Sequence, residues 1–483
     1  MSPAAPAPPR GVATGSLLAL LLAVGSAVPG IPGAASARSV QETTARSGGL
    51  RDTLTLEEAV RIGLDEDPDI RVERADREAV SGQRLADYGA FLPRLSAGAG
   101  FGRNDFTTVT YAAPEGTSRR LDEPESGISK SSSQTLSLDW TLLDGGRRFA
   151  DWKAGGARID AAAHRVSWAE RQTVADVRVA YLEALRQRAL VEVAEQQLEA
   201  RRRDLRLARK RYAIADADRS EILGARSDTL DARMRLLEAR RRARVRMRGL
   251  RTAMGVDESR LSAATTLAPV GELPALDSVA VETLVSRAMG GHPEIAALEA
   301  EARAASADLW AARATYLPTV RLGYSLGRSE RLGREGSFFV LDPSNESRNL
   351  SLNVSWNLFG GLEREQERAR ASSTLRRTRA QRSKRRMQVA ATVRNRVEEL
   401  RRRRERLELI RRKLEVARER VAVMRERFRL GDASYLELQR VIEQLDAAER
   451  DRIEERYAYL TAWAELERVT GPIPGGEALG GEP

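Results

Sequence analysis

The fold is decided by residues 393–428, VRNRVEELRRRRERLELIRRKLEVARERVAVMRERF. Val393, Leu400, Leu407, Leu414, Val421 and Phe428 recur every seven positions, the period of helices that supercoil against neighbours. Counted from Gly361 to Phe428 the helix holds 68 residues, which at 1.5 Å per residue is about 100 Å. No globular domain of a chain this size has room for that, so the helix is a rod or a wall. The same region is strongly basic: residues 401–430 carry 13 basic and 5 acidic side chains. RRRRER at 401–406 would pass for a nucleic-acid patch, yet the heptad runs straight through it. The arginines therefore read as a solvated helix face with i,i+4 Glu–Arg pairs.

The chain repeats itself. Residues 140–255 align without a gap on 356–471, Trp140 on Trp356, Gly145 on Gly361, Tyr212 on Phe428, Glu221 on Glu437 and Gly255 on Gly471. Val177, Ala184, Val191, Leu198, Leu205 and Tyr212 carry the same heptad. Upstream the offset is larger, with Asp67-Pro68 on His292-Pro293 and Phe91-Leu92-Pro93 on Tyr316-Leu317-Pro318. Such self-similarity marks a duplication, with repeats at 54–255 and 282–471 joined by a linker at 256–281. A second linker occupies 38–53, and a disordered tail is expected over 472–483. Each repeat reads as a leading helix, set off by Pro68 or Pro293 and ended by Pro93 or Pro318. Two strands follow, then the long helix after a Gly-Gly pair, then a shorter return helix.

The strands alternate. Leu136, Leu138, Trp140 and Leu142 interleave with Thr135, Ser137, Asp139 and Thr141, and Leu350, Leu352, Val354, Trp356 and Leu358 with polar residues. Their partners are Leu95-Ala97-Ala99-Phe101 and Val320-Leu322-Tyr324-Leu326. Alternation at about ten residues per strand suits a transmembrane β-barrel, but a soluble sheet packed on a helix would show it too. The stretches 108–132 and 328–348, polar and long, read as the connections between strands.

Composition narrows the function. The 483 residues have a net charge of +11, 31% charged side chains and no cysteine, which excludes a bundle of membrane helices, disulfides and thiolate metal sites. Of the 80 basic residues five are lysine and 75 arginine. Only His164 and His292 remain for imidazole chemistry, and both read as structural. Neither a nucleophile–base pair nor a metal-ligand cluster stands out, so neither an enzyme nor a cofactor is expected. Residues 1–37 read as a cleaved signal peptide: Arg10, the apolar stretch Ser16–Val28, and the small-x-small site ending at Ala37. That stretch is too short for a membrane helix, which needs about 20 residues. Export makes nucleic acid a remote partner.

Lengths set the assembly. One long helix matches a return helix stacked on the next leading helix, and each chain supplies four strands. Four strands cannot close a barrel, and an open edge is not tolerated in lipid. Two chains would give a barrel filled by side chains, whereas three give twelve strands and room for a lumen.

These residues resemble the TolC-like outer-membrane efflux proteins over about Leu54–Gly471. The resemblance rests on LTLEEAVRIGLDEDPDI, on FLPRLSAGAGFG and YLPTVRLGYSLG, on WTLLDGGRR and WNLFGGLERE, and most sharply on RFRLGDASYLELQ at 427–439. It implies an α+β membrane protein, a trimer whose 12-stranded outer-membrane barrel continues into a periplasmic α-helical barrel. The implied partners are the other two copies, a periplasmic adaptor and an inner-membrane transporter. The implied activity is passive conduction of small molecules to the exterior, with type I protein secretion as the alternative and a pore-free periplasmic coiled-coil scaffold as the alternative of another class.

By the same resemblance the gate lies at the helix turn-arounds, 213–220 and 429–436. Its residues are Tyr212, Ala215 and Glu221 in the first copy, and Phe428, Gly431, Ser434 and Glu437 in the second. Gly431 suits a helix C-cap and Ser434 an N-cap; in the first tip Ala215 replaces the glycine and Asp218 takes the cap. Threefold symmetry would make each glutamate a self-repelling ring with raised pKa; the plain alternative is a helix N-terminal acid. Where the family's closed state uses an arginine this chain has Ala433, so Arg440 or Arg219 is the expected substitute. Trp140 and Trp356 read as membrane-interface anchors, or else as core.

Overall fold

The computed structural model describes residues 53–112, 118–213, 219–257, 265–275, 280–332 and 344–473. The expected signal peptide, the tail after Ile473, Ala215 and Asp218 lie outside the described residues. Within them the chain runs β1 (Thr53–Leu54), α1 (Leu56–Glu66), α2 (Pro68–Gly89), β2 (Arg94–Ala112), β3 (Ser118–Leu143), α3 (Arg147–Ala213) and α4 (Arg219–Ala253). The second half follows as β4 (Thr266–Leu267), α5 (Val281–Gly291), α6 (Pro293–Ala314), β5 (Thr319–Leu332), β6 (Asn345–Ser355), α7 (Glu363–Leu430) and α8 (Tyr435–Thr470).

The helix breaks fall at the prolines. Pro68 and Pro293 each take the first turn of a helix, where a missing N–H costs nothing and the preceding residue is held extended. α3 and α7 run 67 and 68 residues, about 100 Å each. All six heptad positions of α7 are buried, because α8 packs back along it and α6 covers its other end. The matching pair in the first half is α3 with α4, and α3 also touches α2, α6 and α8. The largest apolar cluster lies where β1 and β4 pair in parallel. There the Tyr181 hydroxyl lies 2.9 and 2.8 Å from Leu54 O and Ala268 O, its one proton shared between the two carbonyls, which ties α3 to β1 and to the residue after β4. Among the described residues no helix is long and apolar enough to cross a membrane.

β2, β3, β5 and β6 form one antiparallel sheet in that order. The strands' extensive contacts are with one another rather than with a helix. Leu350, Leu352 and Val354 are 70%, 61% and 67% exposed, so the apolar face lacks the helical cover that a soluble sheet would need. The expected connection at 108–132 is corrected. β2 and β3 stay paired to Ala112↔Ser118, because a ladder in water needs backbone partners and no apolar face. β5 accompanies β3 only from Lys130 to Leu143, so the rest of the first hairpin stands alone as a two-stranded ribbon. Phe106 lies opposite Gly127 there, and its ring fills the space a Cβ on Gly127 would need. A second correction concerns Trp356, which lies just beyond β6 rather than inside it.

Sheet and rods meet at two joints of the same build. The Trp140 indole N–H donates to Phe91 O at 3.0 Å, and that of Trp356 to Tyr316 O at 3.1 Å. Arg148 lies over the Phe91 ring at 5.3 Å, as Arg364 lies over Tyr316 at 4.9 Å. Arg148 donates to Ala90 O and Leu142 O, and Arg364 to Asn357 O and Leu358 O. Each guanidinium thus satisfies carbonyls freed where strand or helix stops. At Gly145 (φ 68°) the chain turns in the left-handed region, with Ala314 O only 2.6 Å from where a Cβ would sit. Both tryptophans stay exposed, 39% and 61%, so neither belongs to the core of its own chain.

Trp356→Phe keeps the ring but removes the N–H donor, and should cost about 1 kcal/mol. Thermal unfolding followed by helical circular dichroism measures it; an unchanged midpoint would contradict the joint's role.

Candidate functional site

The tips are built by helix-ending rules. Gly431 (φ 86°) closes α7 with its N–H on Arg427 O and Phe428 O, and Asp432 N bonds Arg427 O at 2.9 Å, a Schellman ending. Ser434 Oγ accepts from Glu437 N at 3.3 Å, while the Glu437 carboxylate accepts from Ser434 N at 2.8 Å. This capping box starts α8. The Ser434 backbone and hydroxyl hold the Glu437 carboxyl below the usual carboxylate range. Within one chain, therefore, Glu437 is a capping acid.

Glu221 behaves differently. It lies 3.6 Å from Arg211, an ion pair rather than a hydrogen bond. The Arg211 guanidinium also sits 4.4 Å over the Phe428 ring. Phe428 is fully buried and Tyr212, its aligned counterpart, is 48% exposed. Ala433 is buried in the apolar cluster with Phe428, Tyr435 and Leu438. The cation beside Glu221 is Arg211, from α3.

Behind the tips lies a set of polar contacts between the two helix pairs. Arg201 on α3 donates to Asp446 on α8 at 2.6 Å, both side chains nearly buried. Asp228 on α4 accepts from the Tyr435 hydroxyl at 2.6 Å and from Gln439 Nε2 at 2.8 Å, both on α8. Asp204 on α3 lies 4.0 Å from Arg425 on α7. Burial pushes the Asp446 and Asp204 carboxyls up, against the pull of Arg201 and of Arg425 respectively. Arg201 is twelve residues from the end of α3, so these contacts lie within about 18 Å of the tips. They can hold the α3/α4 and α7/α8 pairs together or release them. Sequence reading missed Arg201, Asp204, Asp228, Gln439 and Asp446. The available signal was a charge such as Arg201, spaced between Leu198 and Leu205 where a seam residue belongs.

The basic stretch of α7 lies along the helix as expected. Leu400, Leu407 and Leu414 are buried. Arg403 reaches Glu399 at 2.8 Å and Glu455 at 3.2 Å, and Lys413 reaches Asp451 at 3.1 Å. Among the described residues no group of three or more His, Cys, Asp or Glu could hold a metal ion.

The outer membrane efflux protein family model matches residues 60–256 and 284–472. Protein CyaE of Bordetella pertussis is 26% identical over 351 residues, 72% of this chain and 70% of that one. The alkaline protease secretion protein AprF of Pseudomonas aeruginosa is 24% identical over 313 residues, 64% of this chain and 62% of that one. In fold, the outer membrane protein VceC from Vibrio cholerae superposes with a TM-score of 0.72 at 18% identity, over 86% of this chain and 96% of that one.

Replacing Asp446 by alanine strands the Arg201 guanidinium in a buried site, which should cost about 3–5 kcal/mol, while Arg201→Leu with Asp446→Leu should be near neutral. Denaturant unfolding of the three proteins checks this; equal losses in both variants would refute the pairing.

Proposed function

The chain belongs to the outer membrane efflux protein family, and from that premise we propose that three copies form the exit duct of a tripartite efflux system. Its sheet carries the argument. β2 and β6 are edge strands of a four-stranded sheet whose apolar face lies uncovered. Such a sheet can enter lipid only if other copies pair its edges, and twelve strands leave a lumen where eight do not. The rods support the same reading. Leu409, Val416, Val423 and Leu430 on α7, and Leu223, Leu230 and Leu237 on α4, form exposed stripes at heptad spacing. Each stripe suits a helix of a neighbouring copy.

In this reading a signal peptide cleaved near Ala37 directs export, the ribbon of β2 and β3 points outward, and the helices hang into the periplasm. The duct conducts small molecules passively, making and breaking no covalent bond. Trp140 and Trp356 face the periplasmic edge of the bilayer. The tips meet the adaptor and close the tunnel, with Arg211, Glu221, Phe428 and the Asp228–Tyr435 contact holding the closed form. Glu437 caps α8 in each copy and adds to a ring of carboxylates at the entrance. Protein export is the second reading, favoured by the name of AprF, an alkaline protease secretion protein.

Planar-bilayer recording tests the proposal. The wild type should give small, cation-selective currents. Asp228→Ala should raise conductance, and Glu221→Ala with Glu437→Ala should weaken cation selectivity. A protein recovered from the soluble periplasm without channel activity would leave a coiled-coil scaffold instead.

A further inference from the structure

The return helices of the two halves differ on one face. In α8, Tyr459, Leu460, Trp463 and Ala464 are all buried, and the Tyr459 hydroxyl donates to Pro274 O at 2.6 Å. Their aligned residues in α4, 216 positions earlier, are Ala243, Arg244, Met247 and Arg248. An alanine thus stands where the second half has a tyrosine ring, and arginines stand where it has Leu460 and Ala464. Glu467, which pairs with Arg178 at 2.6 Å, is matched by Arg251. The second half fills this face with its own side chains, whereas the first leaves it open and basic.

The opening is a cavity of about 420 Å³ between α3, α4 and β4. Arg244, Arg248 and Arg251 follow one another at i, i+4 and i+7 on one face of α4, and Arg188 of α3 lines the cavity with them. Ala184, Met247 and Leu267 supply an apolar wall, and Thr265 adds a hydroxyl. Among the described residues no carboxylate lines this cavity. Glu192 approaches Arg188 from outside it, at 3.9 Å. The larger cavity beside Tyr459, about 650 Å³, differs in carrying Glu272 and Glu408 among its arginines. A cleft lined by charge of one sign against apolar walls focuses its field and draws in the opposite charge. Arg188, Arg244 and Arg248 are exposed, so the cavity can be entered from solvent.

We propose that this cavity binds a soluble organic anion, a carboxylate or sulfonate carried on a small apolar body. The acid group meets Arg244 and Arg248, whose planar guanidinium forks suit such oxygens. The apolar body lies against Ala184, Met247 and Leu267, and the unbranched Met247 side chain adapts to its shape. A largely apolar pocket with a few convergent polar groups, in this range of volume, is the usual form of a small-molecule site. Arg244 lies 25 residues beyond Arg219, the first residue of α4, which places it about 37 Å from that tip. The site is therefore separate from the gate, and it stands whether or not the duct reading does.

The test uses the full purified protein in a non-ionic detergent, titrated calorimetrically with 2-naphthoate and with its neutral amide. Naphthoate should bind saturably, once per chain, and the amide at least tenfold more weakly. Arg248→Met should weaken naphthoate binding by about tenfold, the loss of one charge-assisted hydrogen bond. Arg240→Met removes the same charge from α4 outside the cavity, where Arg240 pairs with Glu195 at 2.6 Å, and should leave binding unchanged. Ala243→Tyr gives the first half the ring that the second half carries, and should abolish saturable binding while the helical circular dichroism is kept. If that variant fails to fold, Arg248→Met against Arg240→Met carries the test. Naphthoate and the amide binding alike, Arg248→Met binding as the wild type does, or both arginine variants weakening it equally would overturn the proposal.

Discussion

A strand edge cannot stay unpaired in hydrocarbon, since each bare N–H and C=O there costs several kcal/mol. This chain brings four strands in the order β2-β3-β5-β6, leaving one free edge on β2 and one on β6. Because every neighbouring pair is antiparallel, β2 and β6 run in opposite directions. The β6 of one copy can therefore continue the antiparallel pattern onto the β2 of the next. In the proposed trimer that pairing closes the sheet, and the neighbouring copies give the exposed heptad stripes something to pack against.

The joints pass that arrangement from sheet to rods. A barrel strand must hand over to a helix within a few residues, at a place where both elements leave carbonyls unmatched. Two arginines and two tryptophans take up those carbonyls, once in each half. The aromatic rings beneath Arg148 and Arg364 fix the direction in which the guanidinium groups point. The joints thereby connect the sheet to helices about 100 Å long. At the far end the Arg201–Asp446 and Asp228–Tyr435 contacts tie α3 and α4 to α8.

Much of this was legible in the sequence because period encodes burial. The spacing from Val393 to Phe428 marks a buried seam, and the prolines at 68 and 293 mark helix starts. The motif residues Trp140 and Arg148 were visible too, although their hydrogen bonds were not, since these cross dozens of residues of chain. The strand lengths were misread because residues 108–130 carry no apolar alternation to mark the backbone pairing that runs through them. Most of the tip contacts were missed because Arg201 and Asp446 resemble the many solvated charges around them. Only three-dimensional proximity shows that they are buried together.

Cross-linking the two sheet edges bears most directly on the central claim, that edge closure makes this chain one third of a barrel. The chain has no cysteine of its own, so only introduced thiols can react. With Ala97→Cys on β2 and Leu352→Cys on β6, a short flexible bis-thiol reagent applied to outer membranes should give a ladder that ends at three chains. A ladder ending at two, one extending beyond three, or an absence of linked chains would contradict the account.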